Sequence, residues 1–244
     1  MGIVGPLRWR SLSRPFRVLL AVVVASGVLA ALALLGWKFY VPSHRPGLEA
    51  GERYGIDVSS HQGIIDWTAV ASDDVAFAYV KASEGGDFVD VRFEANLRDA
   101  QRAGLKVGAY HFFTFCRSGQ DQAENFLRVA PPDPTMLPPA VDVEFAGNCA
   151  ERPSATELEN ELRTFAATVE RSWNRPLLLY VLPDVERKYG IQQSVMEGSE
   201  RARWTRRLFR RPSRKNWSIW QVSAWAKVRG VAGGVDLNVG AAGF

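Results

Sequence analysis

An α/β barrel preceded by a single membrane-spanning helix is the fold class that this sequence predicts, and three observations predict it. Strand-like and helix-like segments alternate through most of the chain. That order implies parallel strands joined by right-handed crossovers, in sufficient number to close into a barrel. The 244 residues, 47% hydrophobic and 23% charged, suit one barrel of average size and exclude wholesale disorder. Ahead of the alternation lies a run of twenty uncharged residues, VLLAVVVASGVLAALALLGW at 18–37, long enough to cross a hydrocarbon core of about 30 Å as a helix.

The N-terminal run carries its own orientation signals. Arg8, Arg10, Arg14 and Arg17 precede it, and a Trp-Lys-Phe-Tyr cluster follows it. By the positive-inside rule the basic tail, residues 1–17, stays in the cytoplasm. Residues 18–40 form the signal anchor, with their aromatic belt at the far interface. An h-region of a cleaved signal peptide is shorter, about 7–15 residues, so an uncleaved single-pass anchor in the cytoplasmic (inner) membrane is expected. Cleavage near Ala31 or Ala33 is the alternative; in both cases the main domain is extracytoplasmic or periplasmic. Residues 41–51, with two prolines and two glycines, read as a linker, and the globular domain spans 52–244.

Within that domain Arg53–Val58 is a short apolar strand, followed by a turn and the helical start IDWTAVA. VAFAYVK at 75–81 is a second strand, and 92–103 is a helix closed by Gly104. LKVGAYHFF at 105–113 is a third strand, and 120–129 is helical. After a proline-rich loop, 140–144 is a fourth strand. The helix at 156–173 has acids at its start and Arg171 at its end, the order that suits the helix dipole. Residues 177–182 form a fifth strand. NWSIWQV and VDLNV follow as strand-like segments with no long helix between them. No internal repeat is visible.

Charge and composition exclude several classes. The net charge is +4, but six basic residues and no acid precede Glu49. The remainder has 24 basic against 26 acidic residues, a net of −2, so a nucleic-acid partner loses its support. Three histidines without a His-x-x-x-His pair, and only two cysteines, leave no metal site expected and no cofactor. No Walker-type glycine loop is present. Export lets Cys116 and Cys149 form a disulfide. The stretch 201–215 holds eight basic residues in fifteen; it reads as a solvated face, with anionic glycan or phospholipid headgroups as the other possibility.

Chemistry in such a barrel gathers at the C-terminal ends of the strands, and three acidic motifs fall there. Asp57 lies in GIDVSSHQG, Asp142 and Glu144 lie in AVDVE, and Asp236 lies in GVDLNV. Residues two apart on a strand share a face, so Asp142 and Glu144 point into one space. Crowded carboxylates cannot all ionise cheaply, which keeps one protonated beside ionised partners. That is equipment for breaking a glycosidic bond.

The words GIDVSSHQG with IDW, AYVKASEG, GAYHFF, AVDVE and IWQ with VDLNV occur in this order across 55–239. The chain thereby resembles glycoside hydrolase family 25, the Chalaropsis-type lysozymes. The resemblance implies an irregular TIM-like β/α barrel of about five βα units plus extra strands. It implies hydrolysis of the β-1,4 bond between N-acetylmuramic acid and N-acetylglucosamine in peptidoglycan glycan strands, and a monomer. Carried over by position, Glu144 matches the proton donor and Asp142 the carboxylate that steers the reacting N-acetyl group. Asp57 and Asp236 match the other cleft acids. The family is described as retaining, with the substrate acetamido group as nucleophile. Tyr110, Tyr180, Trp220 and Gln221 match positions near its cleft, and His61 is a further candidate for substrate contact. His111 reads as a packed histidine, and Lys81 with Glu84 as an ion pair holding the second loop. Two other readings stay open from sequence: a glycan-binding protein without activity, and a hydrolase of another N-acetylated glycan such as chitin.

Overall fold

The computed structural model describes residues 13–197, 200–212 and 217–244. Most of the basic tail, and residues 213–215 of the basic stretch, lie outside the described residues. The chain forms two compact units, one ending at Ser43 and the other His44–Phe244.

In the first unit, α1 (Arg14–Leu35) continues through a π-helical turn at Gly36–Tyr40 to Ser43. These 30 residues have a mean hydropathy of 2.9 in their most apolar window. This is the one helix, among the described residues, long and apolar enough to cross a membrane.

The second unit contains nine strands and six α-helices among the described residues. The strands are β1 (Arg53–Val58), β2 (Val75–Glu84), β3 (Phe88–Val89), β4 (Lys106–Phe112), β5 (Ala140–Val143), β6 (Leu178–Val181), β7 (Ala202–Arg206), β8 (Ile219–Ala226) and β9 (Val235–Gly240). The helices are α2 (Trp67–Ala71), α3 (Phe93–Arg102), α4 (Gly119–Val129), α5 (Ala155–Trp173), α6 (Pro183–Tyr189) and α7 (Ile191–Met196). Strand order runs β1-β9-β8-β7-β6-β5-β4-β2, and β1 pairs with β2, so eight strands close a barrel and β3 is a hairpin arm on β2. Every neighbouring pair from β1–β2 round to β7–β8 is parallel; β9 is antiparallel to both β8 and β1. One reversed strand therefore seals five βα units.

Local chemistry sets the helix starts. The Asp66 carboxylate accepts from the Ala69 amide at 3.0 Å, and Ser118 Oγ accepts from the Asp121 amide at 3.1 Å. Ser154 and Glu157 form a reciprocal capping box on α5. The strands carry Ile, Val, Phe and Leu outward into a core shared with the helices, including Ile56, Phe126, Phe165 and Leu179. Inside the barrel large rings need small neighbours. A Cβ on Gly55 would lie 2.3 Å from the Phe77 ring, and one on Gly108 would lie 2.3 Å from the Tyr79 ring.

Three features differ from the sequence reading. The second strand extends to Glu84. The stretch expected as a basic surface contains β7: Arg201 pairs with Glu170 at 2.8 Å and Arg211 with Glu52, so at least two of its charges are neutralised within the fold. Residues 44–51 are not a free tether, because Arg45 Nη1 donates to the Asp73 carbonyl at 2.7 Å and Arg211 donates to the Gly47 carbonyl at 2.8 Å.

Candidate active site

Four carboxyl groups converge where β1, β5 and β9 meet the mouth of the barrel. Asp57 on β1 stands directly opposite Asp236 on β9, and its parallel neighbour is Tyr79 on β2. Asp142 on β5 lies level with Phe112 on β4 and Tyr180 on β6. Glu144 follows the last residue of β5 and shares the inward face of Asp142 by alternation. All four are half-buried. Asp57, Tyr110, Asp142, Tyr180 and Trp204 line one cavity.

The surrounding hydrogen bonds fix this cluster. Trp204 Nε1 donates to Asn238 Oδ1 at 3.0 Å, and Asn238 Nδ2 donates to Asp57 Oδ2 at 2.7 Å. Asn238 is fully buried, so it holds Asp57 in one orientation. The Tyr180 hydroxyl donates to Gln221 Oε1 across β6 and β8. Asn148 Nδ2 donates to the Glu144 carbonyl and to the Phe113 carbonyl, each at 2.8 Å, and its oxygen accepts from Phe115. Next to Asn148, Cys149 is disulfide-bonded to Cys116, with the two Cα atoms 6.3 Å apart. The bridge thus ties the loop after β4 to the loop that carries Glu144.

Electrostatics favour the neutral acids. Burial, and then the Asp236 charge, lift Glu144 to about 7, against opposition from Arg206 and Lys81. Asp236 rises to about 6 through burial, opposed by Arg206 and by hydrogen bonds from Gln221 and Asp57. Burial raises Asp57 well above the usual carboxylate range, with Asp236 as the next cause. Asp142 is raised likewise by burial and then by Glu144. Its Oδ1 is buried and has no hydrogen-bond partner among the described residues. The site thus offers an acid poised near neutrality and an acceptor oxygen that lacks a donor.

The other sequence candidates divide. Tyr110 and Tyr180 face the cavity, and Gln221 reaches it through Tyr180. His61 lies on an exposed one-turn helix after β1, its Nδ1 2.9 Å from Ser59 Oγ. Trp220 does not join the cluster. It is fully buried in a separate core with Tyr54, Trp217, Leu237 and Val239, and its Nε1 donates to the Arg207 carbonyl at 2.8 Å. Neighbours on a strand face opposite ways, so with Gln221 turned inward Trp220 must turn outward. Lys81 bonds Glu84 at 2.7 Å as expected. His111 is packed, hydrogen-bonded to Ser83 and Gln122 and stacked on Phe165; burial depresses it to about 3. Asn238, Trp204 and Arg206 were not singled out from sequence, although Asn238 shares the inward face of Asp236 by the same two-residue rule.

A larger cavity of about 560 Å³ lies around Glu52, Arg211, Trp217 and Ala241. It flanks the start of β1 and the end of β9, the end of the barrel away from the acids. The grouping of Cys116, Cys149 and Glu151 is no thiolate site, because both sulfurs are consumed by the disulfide.

An α/β barrel with carboxyl groups crowded at its mouth is the architecture of a glycoside hydrolase, and comparison with known proteins narrows the class. The model of glycosyl hydrolases family 25 matches residues 56–231. Lysozyme M1 of Streptomyces globisporus is 34% identical over 194 residues, covering 75% of this chain and 66% of that protein. The uncharacterised YegX of Escherichia coli K12 is 33% identical over 196 residues, covering 76% and 68%. The chain thus spans just under two thirds of the Streptomyces globisporus protein. Among solved structures, a family 25 glycosyl hydrolase from Bacillus anthracis superposes with a TM-score of 0.71 at 32% identity, over 81% of this chain and 92% of that one. A bacterial lysozyme from Streptomyces coelicolor gives 0.69 at 32% identity, over 78% and 92%. This chain belongs to glycoside hydrolase family 25.

Proposed function

We propose that this chain is a muramidase, held in the membrane by its N-terminal helix, that hydrolyses the β-1,4 bond between N-acetylmuramic acid and N-acetylglucosamine in peptidoglycan. The relatives named lysozyme support the substrate class. The observation that carries the mechanism is the placement of Glu144, half-buried at the barrel mouth beside three other acids, where burial and the Asp236 charge lift it to about 7. A general acid serves best when its pKa lies near the working pH.

In the first step Glu144 passes its proton to the glycosidic oxygen as the bond from that oxygen to C1 breaks. The acetamido oxygen of the same sugar closes on C1, giving a cyclic oxazolinium-type intermediate. Asp142 Oδ1, buried and without a donor among the described residues, accepts the acetamido N–H and turns the carbonyl towards C1. In the second step the Glu144 carboxylate takes a proton from water, whose oxygen attacks C1 and reopens the ring. The product retains its anomeric configuration. Asp57, oriented by Asn238, and Asp236 keep the site acidic and line the sugar subsite with Tyr110 and Tyr180.

The long apolar helix and the arginines before it support a single pass with the N-terminus in the cytoplasm and the barrel outside. Digestion of purified peptidoglycan by wild type, Glu144→Gln and Asp142→Asn tests the roles. Glu144→Gln is expected to fold and bind while losing at least about a hundredfold in turnover, and Asp142→Asn is impaired as well. Near-normal muropeptide release by Glu144→Gln places the acid elsewhere and removes the mechanism.

A further inference from the structure

Among the described residues, Arg206 is the cation that the barrel aims at the acid cluster without pairing it. It is the last residue of β7, opposite Gln221 on β8. Trp204, two residues earlier, points inward, since its Nε1 bonds Asn238 and its ring packs on Tyr79 and Tyr180. Alternation therefore turns Arg206 inward too, one layer higher, at the mouth. It is half-buried, and its charge is felt at Glu144, Asp236 and Tyr180. Yet among the described residues no carboxylate oxygen lies within ion-pairing distance of its guanidinium, and its N–H groups donate no hydrogen bond. Lys81, the other cation near the acids, is already committed to Glu84 at 2.7 Å, and elsewhere on the barrel Arg45, Arg201 and Arg211 are each paired with a carboxylate.

An inward guanidinium with its planar fork unspent suits a carboxylate, which it binds in two parallel hydrogen bonds. The nearby acids do not serve, because among the described residues none brings an oxygen within ion-pairing distance of it. A neutral sugar chain offers no such group. A muramyl residue does: its lactyl ether ends in a carboxyl that is free on peptide-free strands, and on peptide-bearing strands the attached stem supplies carboxylates of its own.

We infer that Arg206 binds a carboxylate on the muramyl side of the substrate and so separates muramyl glycans from chitin. This deepens the muramidase reading and rests on it.

The test compares kcat/KM at one pH on peptide-free and peptide-bearing strands, each as the free acid and as the methyl ester. Wild type is expected to cleave the free acid about tenfold better than the ester, the size of one charge-assisted contact. Loss on peptide-free strands assigns the lactyl carboxylate; loss confined to peptide-bearing strands assigns the stem. In Arg206→Gln the preference should fall to near unity, and Arg206→Lys should restore part of it. If Arg206 acted only by tuning the acids, the variant would change the rate on every substrate by the same factor and the tenfold ratio would persist, which overturns the inference. Equal cleavage of acid and ester by wild type overturns it without any variant. Failure of wild type to cut any strand removes the muramidase reading itself, so the two failures are distinguishable.

Discussion

Replacing Glu144 with glutamine should make the barrel more stable at alkaline pH and leave it unchanged at acid pH. The folded site lifts this carboxyl from 4.5 to about 7. At about 1.4 kcal/mol per pKa unit that is about 3 kcal/mol of preference for the neutral form. The side chain keeps some solvent contact, so screening reduces the usable figure to about 2 kcal/mol. The sign follows from linkage. A raised acid contributes stability that is complete below its unfolded pKa and is lost as pH rises through the folded value. Wild type therefore loses this contribution between about pH 4.5 and 7, and a glutamine cannot lose it. Removing the Glu144 charge also relieves Asp57 and Asp142, which both feel it, so the neighbours add in the same direction. Thermal unfolding followed by circular dichroism from pH 4 to pH 9 should show coincident midpoints at pH 4. At pH 8 and above, Glu144→Gln should unfold about 4–8 °C higher, given about 2–4 °C per kcal/mol for a domain of this size. Parallel curves at all pH values would refute the claim that the fold holds this carboxyl against ionisation.

Activity on peptidoglycan should fall on the alkaline side with an apparent midpoint near 7 as Glu144 loses its proton, and Lys81→Met, which removes a charge favouring ionisation of Asp142 and Glu144, should move that limb to higher pH. Paired serine replacements at Cys116 and Cys149 open a loop with a sequence separation of 33, and denaturant unfolding should register a loss of about 3–4 kcal/mol; an unchanged midpoint would mean that the bridge adds nothing. Protease added to spheroplasts should digest the barrel and leave a membrane-held N-terminal fragment, whereas full protection of the barrel would contradict the proposed topology.

The barrel was legible because β1, β2, β4, β5 and β6 are apolar runs separated by helices. β7 was not, because ARWTR reads as charge rather than as a buried strand. Its arginines sit at the mouth and on the flanks while Trp204 fills the interior. The short α6 and α7 escaped for lack of length. At the site, the acids stood out as a repeated type at strand ends, and two-residue spacing gave the shared face of Asp142 and Glu144. The same spacing pairs Asp236 with Asn238 and Trp204 with Arg206, but an asparagine and an arginine advertise no chemistry until their partners are placed. Applied to IWQ, that rule also forbids Trp220 and Gln221 from facing the cleft together, and the aromatic belonged to the outer core.

Which bond is cut decides whether this chain is a muramidase. Purified peptidoglycan digested with the enzyme, reduced with borohydride and analysed by mass spectrometry identifies the sugar at each new reducing end. Cleavage of the N-acetylmuramic acid to N-acetylglucosamine bond predicts reduced muramic acid at those ends in the wild-type digest and its absence with Glu144→Gln. Reduced glucosamine ends, or no new ends while chitin oligomers are cut, would contradict it.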